Sequence, residues 1–600
     1  MIVKTRDQIR TEDTWDLTKL FGNFEEWEKE YSALGLLVND ALNFKGTLGT
    51  SKENLITFLE WFMAVQIRLE RVMQYAFLLH AGDALDTDNQ RTYSLATNLA
   101  NRFSTAVSFV DSEILSIDEN LFSSWIESKE FEPYRVYLKK LVRFRNHILS
   151  DNEEKILAMQ AQVGSKAQES FGALTNVDFD FGYLIVDGKR ISLTQSTFSY
   201  FLQHPDRSVR KKAYHKFYNV FYKHQNVLAH LYDASVKQDI FKSKVRSYDD
   251  SLTMFLFPDN VDKKVYENLV DSVNRALPVL HRYYEIRRKV LNLKELSHYD
   301  VYVPLIKEIK VKHTYEEAVE VIKKALQPLG EEYVSVLTEG LTTQRWVDRY
   351  ENKGKRSGAF SSGIFSSNPF ILMNYQEEVL RDVFTLAHEA GHAMHSYYSS
   401  KNNPFASYDY TIFEAEVAST FNEQLLADYM LKNSNDTQME AYIIGKQIDD
   451  IVATLFRQTM FAEYEKVIHQ MVEGGEPITV SSLRSNYSIL LEKYFGNNVK
   501  LFAKSSLEGL RIPHFYRAFY VYKYATGISA AISLAKRVLE GDKQDKDRYL
   551  EFLKSGGSRY PIEALKLAGV DMQDSKPIDD ALFYFESLLN RFEELVLTKV

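Results

Sequence analysis

Residues 55–63 read LITFLEWFM, and within them Leu55, Phe58, Leu59, Phe62 and Met63 recur at three- and four-residue spacing. That period lines them along one stripe of an α-helix, the side that packs against a neighbouring helix. The same spacing returns mid-chain at Val265, Leu269, Val273 and Leu277. Only 12 prolines interrupt 600 residues, so most of the chain is expected to be helical.

Two stretches break the pattern. Between Val177 and Leu193 the sequence alternates, and Asp187-Gly188 separates Tyr183–Val186 from Ile191–Leu193, which is the chemistry of a type I′ hairpin turn. Residues 354–374, GKRSGAFSSGIFSSNPFILMN, cluster glycine and serine and then give way to the short apolar run Phe370 to Met373, which suits a strand beside a site. The basic runs Arg207 to Lys212 and Lys307 to Lys312 are expected to be solvated faces of ordinary elements.

The length gives a prior of about four units of roughly 150 residues each, and an apolar fraction of 45% can fill their cores. Lysine and arginine total 73 against 82 acidic residues, and a net charge of −9 at this size points to neither nucleic acid nor an anionic membrane as partner. Without cysteine, disulfides and thiolate ligands are excluded, leaving His, Asp and Glu for any transition metal. The N-terminal MIVKTRDQIRTEDTWDL has no apolar signal core, and no run approaches the ~20 apolar residues that span a bilayer. A cytoplasmic location is expected.

Chemistry concentrates in residues 381–396, RDVFTLAHEAGHAMHS. His388 and His392 are four apart, so a helix stacks their imidazoles about one turn from each other, close enough to meet one ion. Glu389 projects roughly 100° away around the axis, near the metal without binding it, where a base acting on activated water belongs. By chance alone an H-E-x-x-H occurs in a chain of this length with a probability on the order of a few per cent. Val383, Phe384 and Ala387 make the preceding turns apolar, so the helix is expected to be buried and its histidines to need partners. Gly391 costs roughly 1 kcal/mol in a helix interior, which makes sense if a backbone or ligand approaches closely there.

A catalytic metal needs a third protein ligand and an open position. The segment 413–428, FEAEVASTFNEQLLAD, reads as a helix with Glu416, Ser419, Thr420 and Glu423 on one polar face. Glu416 is favoured over Glu414, which sits about 200° around the axis and lacks hydroxyl-bearing neighbours to orient it. His395, on nearly the same face as His392, is a rival ligand; three histidines on successive turns do not converge easily on one ion, so it is expected to support the site or face substrate.

These residues resemble the thimet oligopeptidase superfamily of zinc metallopeptidases, and within it the oligoendopeptidase F branch. The resemblance is carried by HEAGHAMH at His388 to His395 and EVAS at Glu416 to Ser419. It extends through TWDL (Thr14 to Leu17), SHYDVYVPL (Ser297 to Leu305), RYENKGKRSGAFSSG (Arg349 to Gly363) and IPHFYRAFYVYKYATG (Ile512 to Gly527), and so spans nearly the whole chain. It implies a mostly α fold: a multi-helix ellipsoid with a deep substrate channel and small β elements near the active site. Along the chain, an N-terminal helical domain over residues 1–200, ending in the small β-hairpin element, and a catalytic zinc-peptidase domain over 201–600 are expected. One Zn²⁺ per chain, held by His388, His392 and Glu416, would serve Glu389 in cleaving short unfolded peptides.

In the wider superfamily a histidine and tyrosines of the late segment contact the reacting carbonyl; the matching residues are His514, Tyr516 and Tyr520. That superfamily has a longer glycine-rich loop after the histidine, whereas only Phe515 intervenes here, and Lys523 stands where some relatives place a further tyrosine. Read from spacing alone, Tyr516, Tyr520 and Tyr524 recur every four residues as a helical stripe. Such a stripe is either a packed face or, following Pro513-His514 with Arg517 and Lys523 nearby, a set of phenols aimed at a developing oxyanion.

Overall fold

The stripe at 55–63 lies in a 31-residue helix, Lys52–Gly82, started by Ser51, whose side chain accepts from the Asn54 N–H. Leu55, Phe58 and Leu59 are wholly buried, and Phe62 and Met63 nearly so, in one apolar cluster with residues of helix Thr87–Ala106. The computed structural model describes residues 3–307, 309 and 311–597, and it is 72% helical with few small strands.

By packing, the chain forms two units, each assembled from separated segments. One comprises Met1–Ile148, Lys310–Asn433 and Ala531–Val570; the other comprises Leu149–Ile309, Ser434–Ala530 and Asp571–Val600. Packing thus groups residues far apart in sequence, whereas the expected division at residue 200 concerns order along the chain.

The β elements are short. Tyr183–Val186 pairs antiparallel with Lys189–Ser192, and the intervening Asp187 and Gly188 take φ of 51° and 75°. Both central residues are left-handed, as a type I′ turn requires. In the first unit, Phe370–Leu372 is the central strand of a three-stranded sheet, parallel to Val347–Asp348 and antiparallel to Phe360–Ser362. Its Phe370 and Leu372 join the same apolar cluster as the Lys52–Gly82 helix.

The basic run at 207–212 departs in part from expectation. Arg207 and Arg210 both donate to the fully buried Asp300, and Arg210 is itself buried. An Asp with no access to water requires such partners, so Arg210 serves the interior, while the half-exposed Arg207 reaches in from a face on which Lys211 and Lys212 are solvated as expected. In the second run Lys312 pairs with Glu377; Glu308 and Lys310 lie outside the described residues.

Candidate metal centre

The HEAGH motif sits in helix Leu380–Asn402, whose Val383, Phe384, Leu386, Ala387, Ala390 and Met394 are all buried. A short loop then leads to helix Ile412–Asn433, which carries Glu416. The two helices meet backbone to backbone: a Cβ on Gly391 would lie 2.4 Å from the Ala418 carbonyl oxygen and 2.7 Å from the Ser419 Cα. Asn422 adds a cross-link by donating to the Ala387 carbonyl at 3.2 Å. The glycine inside the motif is therefore a spacing device. Gly391→Ala gains helix propensity of up to about 1 kcal/mol but forces two backbones apart, at a typical overpacking cost of 1–3 kcal/mol. The variant is expected to melt earlier than the parent in chelator and to bind metal more weakly; equal stability would remove the close-contact argument.

This approach brings the donors together. His388, His392 and Glu416 each offer a ligand atom within 4.8 Å of the other two. Glu416 Oε2 is 3.6 Å from His388 Nε2 and 3.9 Å from His392 Nε2, and the imidazoles stand 4.9 Å apart, nearly perpendicular. Ser419 Oγ, 3.2 Å from Glu416 Oε2, steadies that carboxylate from one turn along its helix. Glu414 is used otherwise: its carboxylate accepts from the Thr411 N–H at the start of the helix.

Glu423 completes the arrangement. Its Oε1 lies 2.7 Å from His388 Nδ1, so the Nδ1 proton is taken and Nε2 is left toward the shared space. Burial disfavours a charged His388, but the Glu423 carboxylate overcomes it and lifts the imidazole pKa from 6.5 to about 9. His392 goes the other way, to about 3, through burial and the adjacent His388 and His395. Glu389 is buried, and burial, together with Glu416 and Glu423, raises its carboxyl to about 7 despite His388 and a backbone hydrogen bond from Ser361.

A metal bound by His388 would have to displace its second proton. Between pH 6.5 and 9 the metal affinity of the chain is expected to rise about tenfold per pH unit, since one proton competes with one ion. The metal-free protein has the opposite sign: the stability given by the charged His388–Glu423 pair is full below pH 6.5 and is lost as pH rises through 9. Glu423→Gln should abolish both slopes, and above pH 9 should bind metal about 10–100-fold more weakly. Chelator-competition titrations and melts across this range check it; unchanged slopes would refute the pair.

His395 is wholly buried, its ring stacked 3.7 Å from Tyr410 and 5.2 Å from Phe552. Those rings enclose it, and burial keeps it neutral. Tyr410 also reaches Ser396 Oγ at 2.8 Å, tying the connecting loop to the HEAGH helix.

The late segment, in the second unit, does not form the expected helical stripe. Pro513–Tyr516 is a 3₁₀ turn, and the following helix starts only at Tyr522. Between them Phe519 has a φ of 54°, which no continuous helix tolerates. Tyr516 consequently stacks on Phe171 at 4.5 Å and leans toward Tyr232, while His514, Tyr520 and Tyr524 gather with ring centroids 5.4–6.4 Å apart. Lys523 is taken by Asp259 at 2.5 Å.

Two helix-borne histidines and a carboxylate from the next helix form a group that could hold a metal ion, with a buried carboxyl within their field. Comparison with known proteins gives the class. The profile of Peptidase family M3 matches residues 200–583, and that of Oligopeptidase F matches 113–181. The oligoendopeptidase F homolog of Borreliella burgdorferi is 45% identical over 98% of this chain and 99% of its own. The oligopeptidase PepF of Bacillus subtilis is 41% identical over 99% of this chain and 88% of its own. The crystal structure of oligoendopeptidase-F from Enterococcus faecium superposes with a TM-score of 0.76 at 33% identity, covering 96% of this chain and 99% of that one. The chain belongs to Peptidase family M3, in its oligoendopeptidase F branch, and is a metalloendopeptidase. Among the described residues, no helix is long and apolar enough to cross a membrane.

Proposed function

We propose that this protein is a zinc-dependent endopeptidase for short, unfolded oligopeptides, with one zinc ion held by His388, His392 and Glu416. The observation that carries the reading is the convergence of those three donors, two nitrogens and one oxygen, beside the buried Glu389. The donor set suits zinc: its members come from rigid helices, and Glu423 fixes the tautomer that turns His388 Nε2 inward. Zinc, when bound, supplies Lewis-acid activation of water and of a peptide carbonyl.

Glu389 takes a proton from the attacking water and returns it to the leaving amine; burial, which raises its carboxyl in the metal-free protein, suits a group that must both accept and give up a proton. No covalent intermediate is needed, in a chain without cysteine or a GxSxG elbow. His514, Tyr516 and Tyr520 are assigned to the developing oxyanion, all three within residues 201–600, the segment read as catalytic. Of them, His514 and Tyr520 share one ring cluster and Tyr516 is the most engaged elsewhere. The substrate path is a deep channel that admits extended peptides and excludes folded domains.

The test is mass-spectrometric product mapping on a peptide library acetylated at one end and amidated at the other. Internal cleavage, abolished by chelator and restored by zinc, is expected, together with resistance of a stably folded protein. Release of only one or two residues from free ends would indicate an exopeptidase, and digestion of the folded protein would contradict the enclosed path.

A further inference from the structure

Phe519 is a bulky residue in the left-handed region, 2% exposed, at the point where the 3₁₀ turn bearing His514 and Tyr516 gives way to Tyr520 and the next helix. A large side chain adopts that conformation only where its surroundings overdetermine it. Here they do so in two ways. The ring is enclosed by His469 at 4.7 Å, Phe255 at 5.7 Å and Tyr266 at 6.1 Å. The backbone N–H donates to Glu465 Oε1 at 3.1 Å, in the interior.

Glu465 lies on helix Arg457–Glu473 with no solvent exposure. Its Oε2 has no hydrogen-bond partner. Asp239 lies 3.4 Å from His469 Nε2, and His469 Nδ1 meets the Glu465 backbone carbonyl. Burial, with Asp239 beyond, pushes the Glu465 carboxyl well above the usual range, so it is a neutral acid. A buried carboxyl with one oxygen unmatched is costly to keep, and an apolar side chain of the same size would pack there without that cost. The one hydrogen bond it makes beyond its own helix holds the N–H of the strained residue.

We infer that Glu465 is a positioning residue: by holding the Phe519 N–H it fixes the left-handed turn that sets Tyr520 against His514. It touches no reacting atom, and the inference rests on the reading of His514 and Tyr520 as oxyanion donors. The turn also accounts for Tyr516 and Tyr520 diverging despite their helical spacing.

The experiment uses the zinc-loaded, full-length protein. In the parent, the Phe519 amide should exchange with deuterium more slowly than its neighbours in 513–521, and fast exchange there overturns the inference without any variant. Glu465→Met fills the same volume without an acceptor. It should lose that protection and lower kcat by about 10²-fold, the scale of a misplacement near 1 Å, with KM changed far less and zinc retained. Glu465→Gln keeps an acceptor oxygen and should stay near the parent, and Phe519→Gly added to Glu465→Met should recover part of kcat, because glycine takes a positive φ freely. A folded, zinc-loaded Glu465→Met with parental kcat, beside His514→Ala and Tyr520→Phe variants that lose theirs, overturns this inference alone. Loss of kcat in Glu465→Met while those two keep theirs overturns the catalytic reading of the segment and the positioning role with it.

Discussion

Glu389→Gln is expected to leave the protein folded and fully zinc-loaded while lowering kcat by about 10²–10⁴-fold, the usual contribution of a general acid–base group. The amide has the shape of the carboxyl but cannot take a proton. The three donors are untouched, since Glu389 shares the field of His388 and Glu416 without belonging to their cluster. KM should change little, because the lost interaction belongs to the transition state. Zinc content, melting temperature and steady-state kinetics on one peptide suffice. The parent should also lose activity on acidification, as Glu389 becomes protonated before it can act as base; near-normal kcat in the variant would end the base assignment.

Glu416→Ala is expected to release the metal. Two imidazoles remain, and a zinc site built for three protein ligands is under-coordinated without the carboxylate. Activity should fall to background at stoichiometric zinc and return only in part at high zinc. Glu414→Ala is the paired control: its carboxylate accepts from Thr411 at the helix start, so its removal should cost about 0.5–2 kcal/mol of stability, as for a lost helix cap, and leave zinc in place. The reverse pattern, zinc retained without Glu416 and lost without Glu414, would show that the wrong carboxylate had been chosen.

The convergence of His388, His392 and Glu416 was legible in the sequence because its determinants are local. His388 and His392 converge because four residues make about one helical turn, and Glu416 stood out from Glu414 through Ser419, which lies beside it in the structure. Gly391 announced a close approach, although only the structure identifies the neighbour as the backbone of Ala418 and Ser419. Glu423 was on the right face, seven residues after Glu416, and the need of a ligating histidine for a partner on its other nitrogen was the signal that could have assigned it. The late tyrosines were misleading because spacing assumes an unbroken helix, and nothing local in FYRAFY declares that Phe519 will turn left-handed. That conformation depends on Glu465, 54 positions away. Arg210 looked like surface for the same reason, its buried partner Asp300 being distant in sequence.

The loop between the two metal-bearing helices has a consequence for how the enzyme is made. Every residue of the candidate metal cluster and its Glu423 partner falls within one helical hairpin, so these contacts are short-range and are expected to form early. The surrounding unit is finished only when Ala531–Val570 arrives, bringing the Phe552 ring that covers His395. A chain emerging from the ribosome therefore carries all three candidate metal donors before Ala531–Val570 has been made. Metal supply during synthesis is then expected to bear on the yield of folded enzyme as well as on its turnover, because an ion captured at that stage would narrow the conformations onto which Ala531–Val570 must pack.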